Sequence, residues 1–264
     1  MIKVENIQLT FNAGTPIENH VLRNLSLTIK EGEFVTVIGS NGAGKSSLLN
    51  IISGDLLADS GYVIINNRDV TRYPTWKRAN LVARVFQDPM AGTCEKLTIE
   101  ENLALAYKRG QPRTLLPALN RQNKVLFKDK LARLNLGLEN RLNDLMGLLS
   151  GGQRQAVSLL MSSLQPSKIL LLDEHTAALD PKTAQFVLSL TNQIVQENKL
   201  TTLMVTHSMK QALEYGTRTI MLHQGQVVLD ISGEQRSKLG VSDLLNMFEK
   251  TRGETITDDA LLLS

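Results

Sequence analysis

Gly39-Ser40-Asn41-Gly42-Ala43-Gly44-Lys45-Ser46 reads G-x-x-x-x-G-K-S. Ahead of it, Phe34-Val35-Thr36-Val37-Ile38 is an apolar, β-branched run that reads as a buried strand. Behind it, Ser47-Leu48-Leu49-Asn50-Ile51-Ile52-Ser53 reads as a helix. Strand, glycine loop, helix is the context in which this motif holds phosphate. The glycines let successive backbone N–H groups turn inward around an anion, and the helix N-terminus adds the positive end of its dipole. Lys45 reaches the β- and γ-phosphates, and the Ser46 hydroxyl suits Mg²⁺. The stretch predicts a nucleoside triphosphate site.

Further along, Ile169-Leu170-Leu171-Leu172-Asp173-Glu174 is an apolar run ending in two carboxylates. A strand apolar on both faces is predicted to be a central parallel strand. Asp173 at its end suits Mg²⁺, usually through water. Glu174, one residue on, points differently and can polarise an attacking water. His175 has no second ligand at useful spacing, so no metal role is expected of it. Leu81 to Phe86 reads as a strand followed by Gln87, and Thr201 to Thr206 as a strand ended by His207. Strand ends of this kind are where α/β sheets bind ligands. There Gln87 can ligate Mg²⁺ or orient water, and His207 is a candidate γ-phosphate sensor.

Between these strands, Asp88 to about Leu164 reads as a helical insertion. Thr98 and Glu101 form a capping box at a helix start, and Arg121 to Leu136 gives a second helix. The basic cluster Lys108, Arg109, Arg113, Arg121 and Lys124 reads as a solvated face. Leu149-Ser150-Gly151-Gly152-Gln153 precedes apolar Ala156, Leu159, Leu160 and Leu164 at helical spacing. Ser150 and Gln153 form another capping box, and the glycines leave the first-turn N–H groups open to an anion. One nucleotide does not need two such helix starts, but a second chain could supply the use.

The remaining chain frames the core. Ile2 to Phe11 and Val21 to Ile29 read as strands joined by a long loop, Gly61 to Ile65 as a short strand, and Thr217 to Leu222 with Val227 to Ile231 as a hairpin. An amphipathic helix runs from about Thr183 to Glu197, and a last helix from Val241 to Glu249, before a tail from about Thr251. Phe11 is placed either to stack on a base or to end a strand half-buried. The expected organisation is one domain over 1–264: a nucleotide-binding α/β core over 1–87 and 165–250, a helical subdomain over 88–164, and a tail over 251–264.

Composition fits that scheme. The 264 residues suit one large α/β domain or a core with an insertion, and a 42% hydrophobic share can fill a core. The balance of 29 Lys+Arg against 26 Asp+Glu argues against a strong electrostatic nucleic-acid binder. The lone Cys94 fits a reducing compartment and reads as an inert thiol. No signal-peptide core or membrane-spanning run stands out, so membrane contact is expected to need a partner.

Taken in order, the phosphate loop, strand-end Gln87, Leu-Ser-Gly-Gly-Gln, the Asp-Glu strand end, Ala178-Leu179-Asp180 and strand-end His207 resemble ABC-type ATPases. The chain looks like the ATP-binding subunit of an ABC transporter over nearly its whole length. The resemblance implies an ABC-type P-loop core with an antiparallel β subdomain and an inserted helical subdomain. It implies that Phe11 stacks on adenine, that Gly39, Ser40, Asn41, Gly42, Ala43, Gly44, Lys45, Ser46 and Ser47 bind ATP, and that Ser46, Gln87 and Asp173 serve Mg²⁺. Ser150, Gly151, Gly152, Gln153 and Asp180 would face ATP held by a second copy in a head-to-tail homodimer. Glu174, His207 and Gln87 would carry hydrolysis. Partners implied are two integral membrane permease subunits and, through them, an extracytoplasmic solute-binding protein, with the chain peripheral on the cytoplasmic face and no nucleic acid. Ser47 replaces a frequent threonine and His175 a frequent proline. Val85 to Met90, the His175 stretch and Met204 to His207 are similar to a bacterial importer subgroup for small solutes, often tryptophan or tyrosine. An exporter, a lipid-extracting complex or a non-transport ABC ATPase shares the same motifs.

Overall fold

The computed structural model describes residues 1–112 and 117–252. Arg113 of the basic cluster and the expected tail beyond Arg252 lie outside them. The strands are β1 (Ile2–Phe11), β2 (Asn19–Ile29), β3 (Phe34–Ile38), β4 (Ser60–Ile65), β5 (Arg68–Asp69), β6 (Val82–Val85), β7 (Ile169–Asp173), β8 (Thr201–Val205), β9 (Arg218–His223) and β10 (Gln226–Ser232). The helices are α1 (Lys45–Ser53), α2 (Thr75–Arg78), α3 (Ile99–Tyr107), α4 (Arg121–Ala132), α5 (Gly151–Ser163), α6 (Pro181–Asn198), α7 (Met209–Glu214), α8 (Gly233–Ser237) and α9 (Val241–Arg252).

By internal packing the chain divides into two units, Met1–Thr75 with Leu200–Ser264, and Trp76–Lys199. In the first unit, β2-β1-β4-β5 form an antiparallel sheet. β1 and β2 alternate buried and exposed residues, so one face of this sheet meets the core and the other meets water. The same unit carries the run β10-β9-β3-β8, in which β3 pairs in parallel with both β8 and β9. β3 is buried at all five positions, as its unbroken apolar run requires. Its one polar residue, Thr36, is satisfied: its hydroxyl donates to the Ala212 carbonyl at 3.0 Å. Ile38, Met209, Ala212, Met221, Ile231, Leu244 and Phe248 pack together, which seats α7 and α9.

In the second unit, β6 and β7 pair in parallel, with Val85 opposite Leu172. Helices α3 to α5 follow β6, and α6 follows β7. Phe127 of α4 is fully buried, with its ring edge-on to Tyr107 at 5.9 Å. Burying a ring of this size contributes about 2–3 kcal/mol. The α3 capping box forms, with Thr98 accepting from the Glu101 N–H and Glu101 accepting from the Thr98 N–H.

Three expectations move. α4 stops at Ala132 and not at Leu136, because Asn135 and Gly137 turn to positive φ. β2 begins at Asn19, two residues early, since His20 pairs across to Thr10. Arg109 does not belong to a solvated face: its guanidinium donates to the Ser162 and Gln165 carbonyls at 3.1 and 3.3 Å, and burial lowers its pKa. Among the described residues no helix is long and apolar enough to cross a membrane.

Candidate functional site

In the first unit the phosphate loop leaves the end of β3 and enters α1. Gly44, the N-cap of α1, has φ 98°, and a Cβ there would stand 2.7 Å from Leu22 Cδ2. Only glycine satisfies both demands. The start of α1 has no side-chain cap, unlike α3, α4, α5, α6 and α7, each of which is capped by its own preceding residue. An uncapped N-terminus behind a glycine loop is suited to receive phosphate oxygens. Lys45 is buried, and its Nζ donates to the Gly39 and Ser40 carbonyls at 2.8 and 3.0 Å. The ammonium is thus curled over its own loop. Ser46 is exposed on the first turn, with Ser47 beside it half-buried.

β8 runs parallel to β3 in that unit, Val37 opposite Val205, so His207 and the phosphate loop leave the same sheet edge. The turn after β8 is tied down: the Thr206 hydroxyl donates to Gln211 Oε1 at 2.8 Å and accepts from the Ser208 N–H at 3.1 Å. Phe11 ends β1 at 38% exposure, opposite Asn19.

In the second unit the parallel pairing of β6 with β7 sends Gln87 and the pair Asp173-Glu174 off one edge. Gln87 is exposed. Asp173 is 9% exposed, and its Oδ2 accepts from Arg84 Nη2 at 2.6 Å. Glu174 takes φ 45°, so the chain turns immediately after Asp173. His175 is buried at 2% exposure, with its Nε2 3.0 Å from the Thr191 hydroxyl. Burial brings its pKa down to about 4, so it is a neutral packing residue at physiological pH.

α5 starts as its sequence requires. The Gln153 N–H donates to Ser150 Oγ and the Ser150 N–H to Gln153 Oε1, both at 3.2 Å. Gly151 and Gly152 occupy the first turn. Gly152 has a second duty, since a Cβ there would collide with the Thr183 methyl of α6. Asp180 caps α6, accepting from the Thr183 N–H at 3.1 Å, and its bonds from Thr183 hold its carboxyl below the usual range. The Leu-Ser-Gly-Gly-Gln turn and the Asp180 turn are therefore packed together through Thr183.

Two residues emerge that the sequence reading passed over. Gln155, fully buried on α5, donates from Nε2 to the Phe86 carbonyl at 3.0 Å and so fixes the backbone just ahead of Gln87. A polar side chain two residues past Gln153, on the apolar face of a helix, was the available signal. Arg84 was signalled likewise by a charge inside the run Val-Ala-Arg-Val.

Residues 22–177 match the family model described as ABC transporter. The chain is 47% identical over 249 residues to the tyrosine transport ATP-binding protein of Clostridioides difficile (strain R20291), covering 94% of this chain and 99% of that protein. It is 36% identical over 213 residues to the thiamine import ATP-binding protein ThiQ of Escherichia coli (strain K12), covering 81% and 87% of the two chains. The dimeric, post-hydrolysis ATP-binding cassette MJ0796 bound to ADP and Pi superposes with a TM-score of 0.76 at 30% identity, over 88% of this chain and 98% of that one. Phosphate loop, capped Leu-Ser-Gly-Gly-Gln helix and acidic strand end thus sit in a chain alike over most of its length to cassettes that handle ATP, and the chain belongs to the ABC transporter family as one of its ATP-hydrolysing subunits.

Proposed function

We propose that two copies of this chain, head to tail, hydrolyse Mg²⁺–ATP and drive import of an aromatic amino acid, tyrosine foremost, through two integral membrane subunits. The observation that carries the solute is the 47% identity to a tyrosine transport ATP-binding protein over 94% of the chain. The dimer rests on the likeness to a dimeric cassette and on the capped α5 start, a second anion-receiving helix end that one nucleotide leaves without use.

In this reading Phe11 stacks on the base and the Gly39–Ser46 loop cradles the phosphates, with Lys45 shifting from its loop carbonyls to the β- and γ-oxygens. Ser46, Gln87 and Asp173 offer hydroxyl, amide and carboxylate oxygens, the hard donors that Mg²⁺ selects. The ion supplies charge neutralisation at the phosphate oxygens. Glu174 takes the proton of the attacking water, and His207 holds the γ-phosphate side. Ser150, Gly151, Gly152 and Gln153 of the second copy close the site with first-turn N–H groups, and Asp180 borders them. The chain then lies on the cytoplasmic face of the membrane, held by its membrane subunits, with an extracytoplasmic solute-binding protein on the far side.

The test is a mild-detergent pull-down of the tagged chain from its native membranes, joined to uptake of labelled tyrosine, tryptophan and thiamine in a strain lacking it. A polytopic subunit, a solute-binding lipoprotein and loss of tyrosine uptake are expected. Loss of thiamine uptake alone would move the solute, and capture of only a soluble partner or nucleic acid would overturn the partners proposed here.

A further inference from the structure

Arg84 lies inside the otherwise apolar strand β6. The parallel register sets it opposite Leu171, and the two-residue pleat then puts Arg84, Leu171 and Asp173 on one face. Its Nη2 reaches Asp173 Oδ2 at 2.6 Å, with the two side chains only 11% and 12% exposed. The guanidinium also lies over the Phe86 ring at 4.7 Å, a second contact that holds it in place. This is a shielded ion pair made by the carboxylate at the end of the acidic strand.

Taking a charged side chain out of water is costly unless an opposite charge accompanies it. Arg84 supplies that charge within the chain itself. A divalent cation approaching Asp173 meets an oxygen already engaged and a positive charge already in place. We propose that Arg84 is a positioning residue that serves as a resident counter-charge of Asp173, holding the carboxylate aimed, and that it sets the Mg²⁺ concentration at which the site loads. This rests on the reading of Asp173 as a Mg²⁺ residue.

The experiment titrates Mg²⁺ against the full-length chain with a fluorescent ATP analogue, following nucleotide fluorescence and the melting temperature. Arg84→Met removes the charge, and Arg84→Gln removes it while keeping a hydrogen-bond donor, which guards against a variant that does not fold. In both, half-saturation by Mg²⁺ is expected to fall about tenfold, because the ion no longer competes with a guanidinium. Melting without Mg²⁺ is expected to drop, and to recover more on adding Mg²⁺ than in the unaltered chain. Asp173→Asn is measured alongside. If Asp173→Asn loses its Mg²⁺ response while the Arg84 variants keep the original half-saturation, or raise it, the counter-charge proposal is overturned alone. If Asp173→Asn responds to Mg²⁺ like the unaltered chain, the metal reading of Asp173 falls and the proposal falls with it.

Discussion

Glu174 shows what one residue's backbone contributes. Its φ of 45° is a conformation that a side chain of this size adopts at a cost of about 1 kcal/mol. The turn ends the strand at Asp173, and the proposed function gives the two neighbouring acids two roles. Glu174→Gln keeps the shape and removes the base. Hydrolysis is expected to fall by a factor of about 10²–10⁴, while ATP binding persists and an ATP-held dimer accumulates in gel filtration. Undiminished phosphate release would remove Glu174 from the role. Its neighbour His175 carries a different consequence. With a folded pKa of about 4 against an ordinary 6.5, it stays neutral where the unfolded chain takes up a proton. Its contribution to stability is therefore complete above pH 6.5 and is lost as pH falls toward 4, by up to about 3 kcal/mol. Melting temperatures across that interval are expected to fall less steeply in His175→Gln, which accepts or donates to Thr191 without titrating.

At the scale of elements, the start of α5 combines a capping box that its sequence announces with a packing contact that it does not. Gly151 and Gly152 look equivalent in the chain, yet an added Cβ meets only Leu179 at 3.7 Å in the first and collides with the Thr183 methyl in the second. Gly151→Ala is expected to be mild. Gly152→Ala is expected to cost about 1–3 kcal/mol, and Thr183→Ser, which deletes the offending methyl, is expected to restore most of it in the double variant. Equal melting of the two single variants would contradict the contact. The contrast explains what was legible. The phosphate loop, the capping boxes and the Asp173 strand announce themselves because each is a local pattern whose partners lie within a few residues. Helices α2, α7 and α8 were hidden, being shorter than two turns and too brief to show a period. Arg84 with Asp173, Gln155 with Phe86 and Gly152 with Thr183 were hidden because their partners lie 89, 69 and 31 residues away, joined only by register and helix packing.

At the scale of the molecule, the question is where a chain without a membrane-crossing helix among its described residues would meet membrane subunits. The second unit holds an open cleft of about 950 Å³ bordered by Trp76, Gly92, Leu105, Lys108 and Met161. Trp76 and Leu105 are 73% and 57% exposed, large apolar side chains at the rim of one concavity. Single exposed hydrophobics are ordinary, but a tryptophan and a leucine flanking one cleft have the form of an interface anchor. Gly92 extends the lining to the segment that follows Gln87, so an occupant of this cleft would touch the same loop that carries a proposed Mg²⁺ residue. Trp76→Ala and Leu105→Asp are expected to reduce recovery of the polytopic partner in the pull-down by about tenfold, the loss of one anchor of 1–2 kcal/mol, with nucleotide binding by the isolated chain retained. Val125→Asp, an equally exposed apolar site on α4 outside the cleft, serves as the control. Partner recovery that falls in all three variants, or in none, would rule the cleft out as the seat of the membrane subunit, because only a loss confined to the rim residues distinguishes docking from a general change of surface.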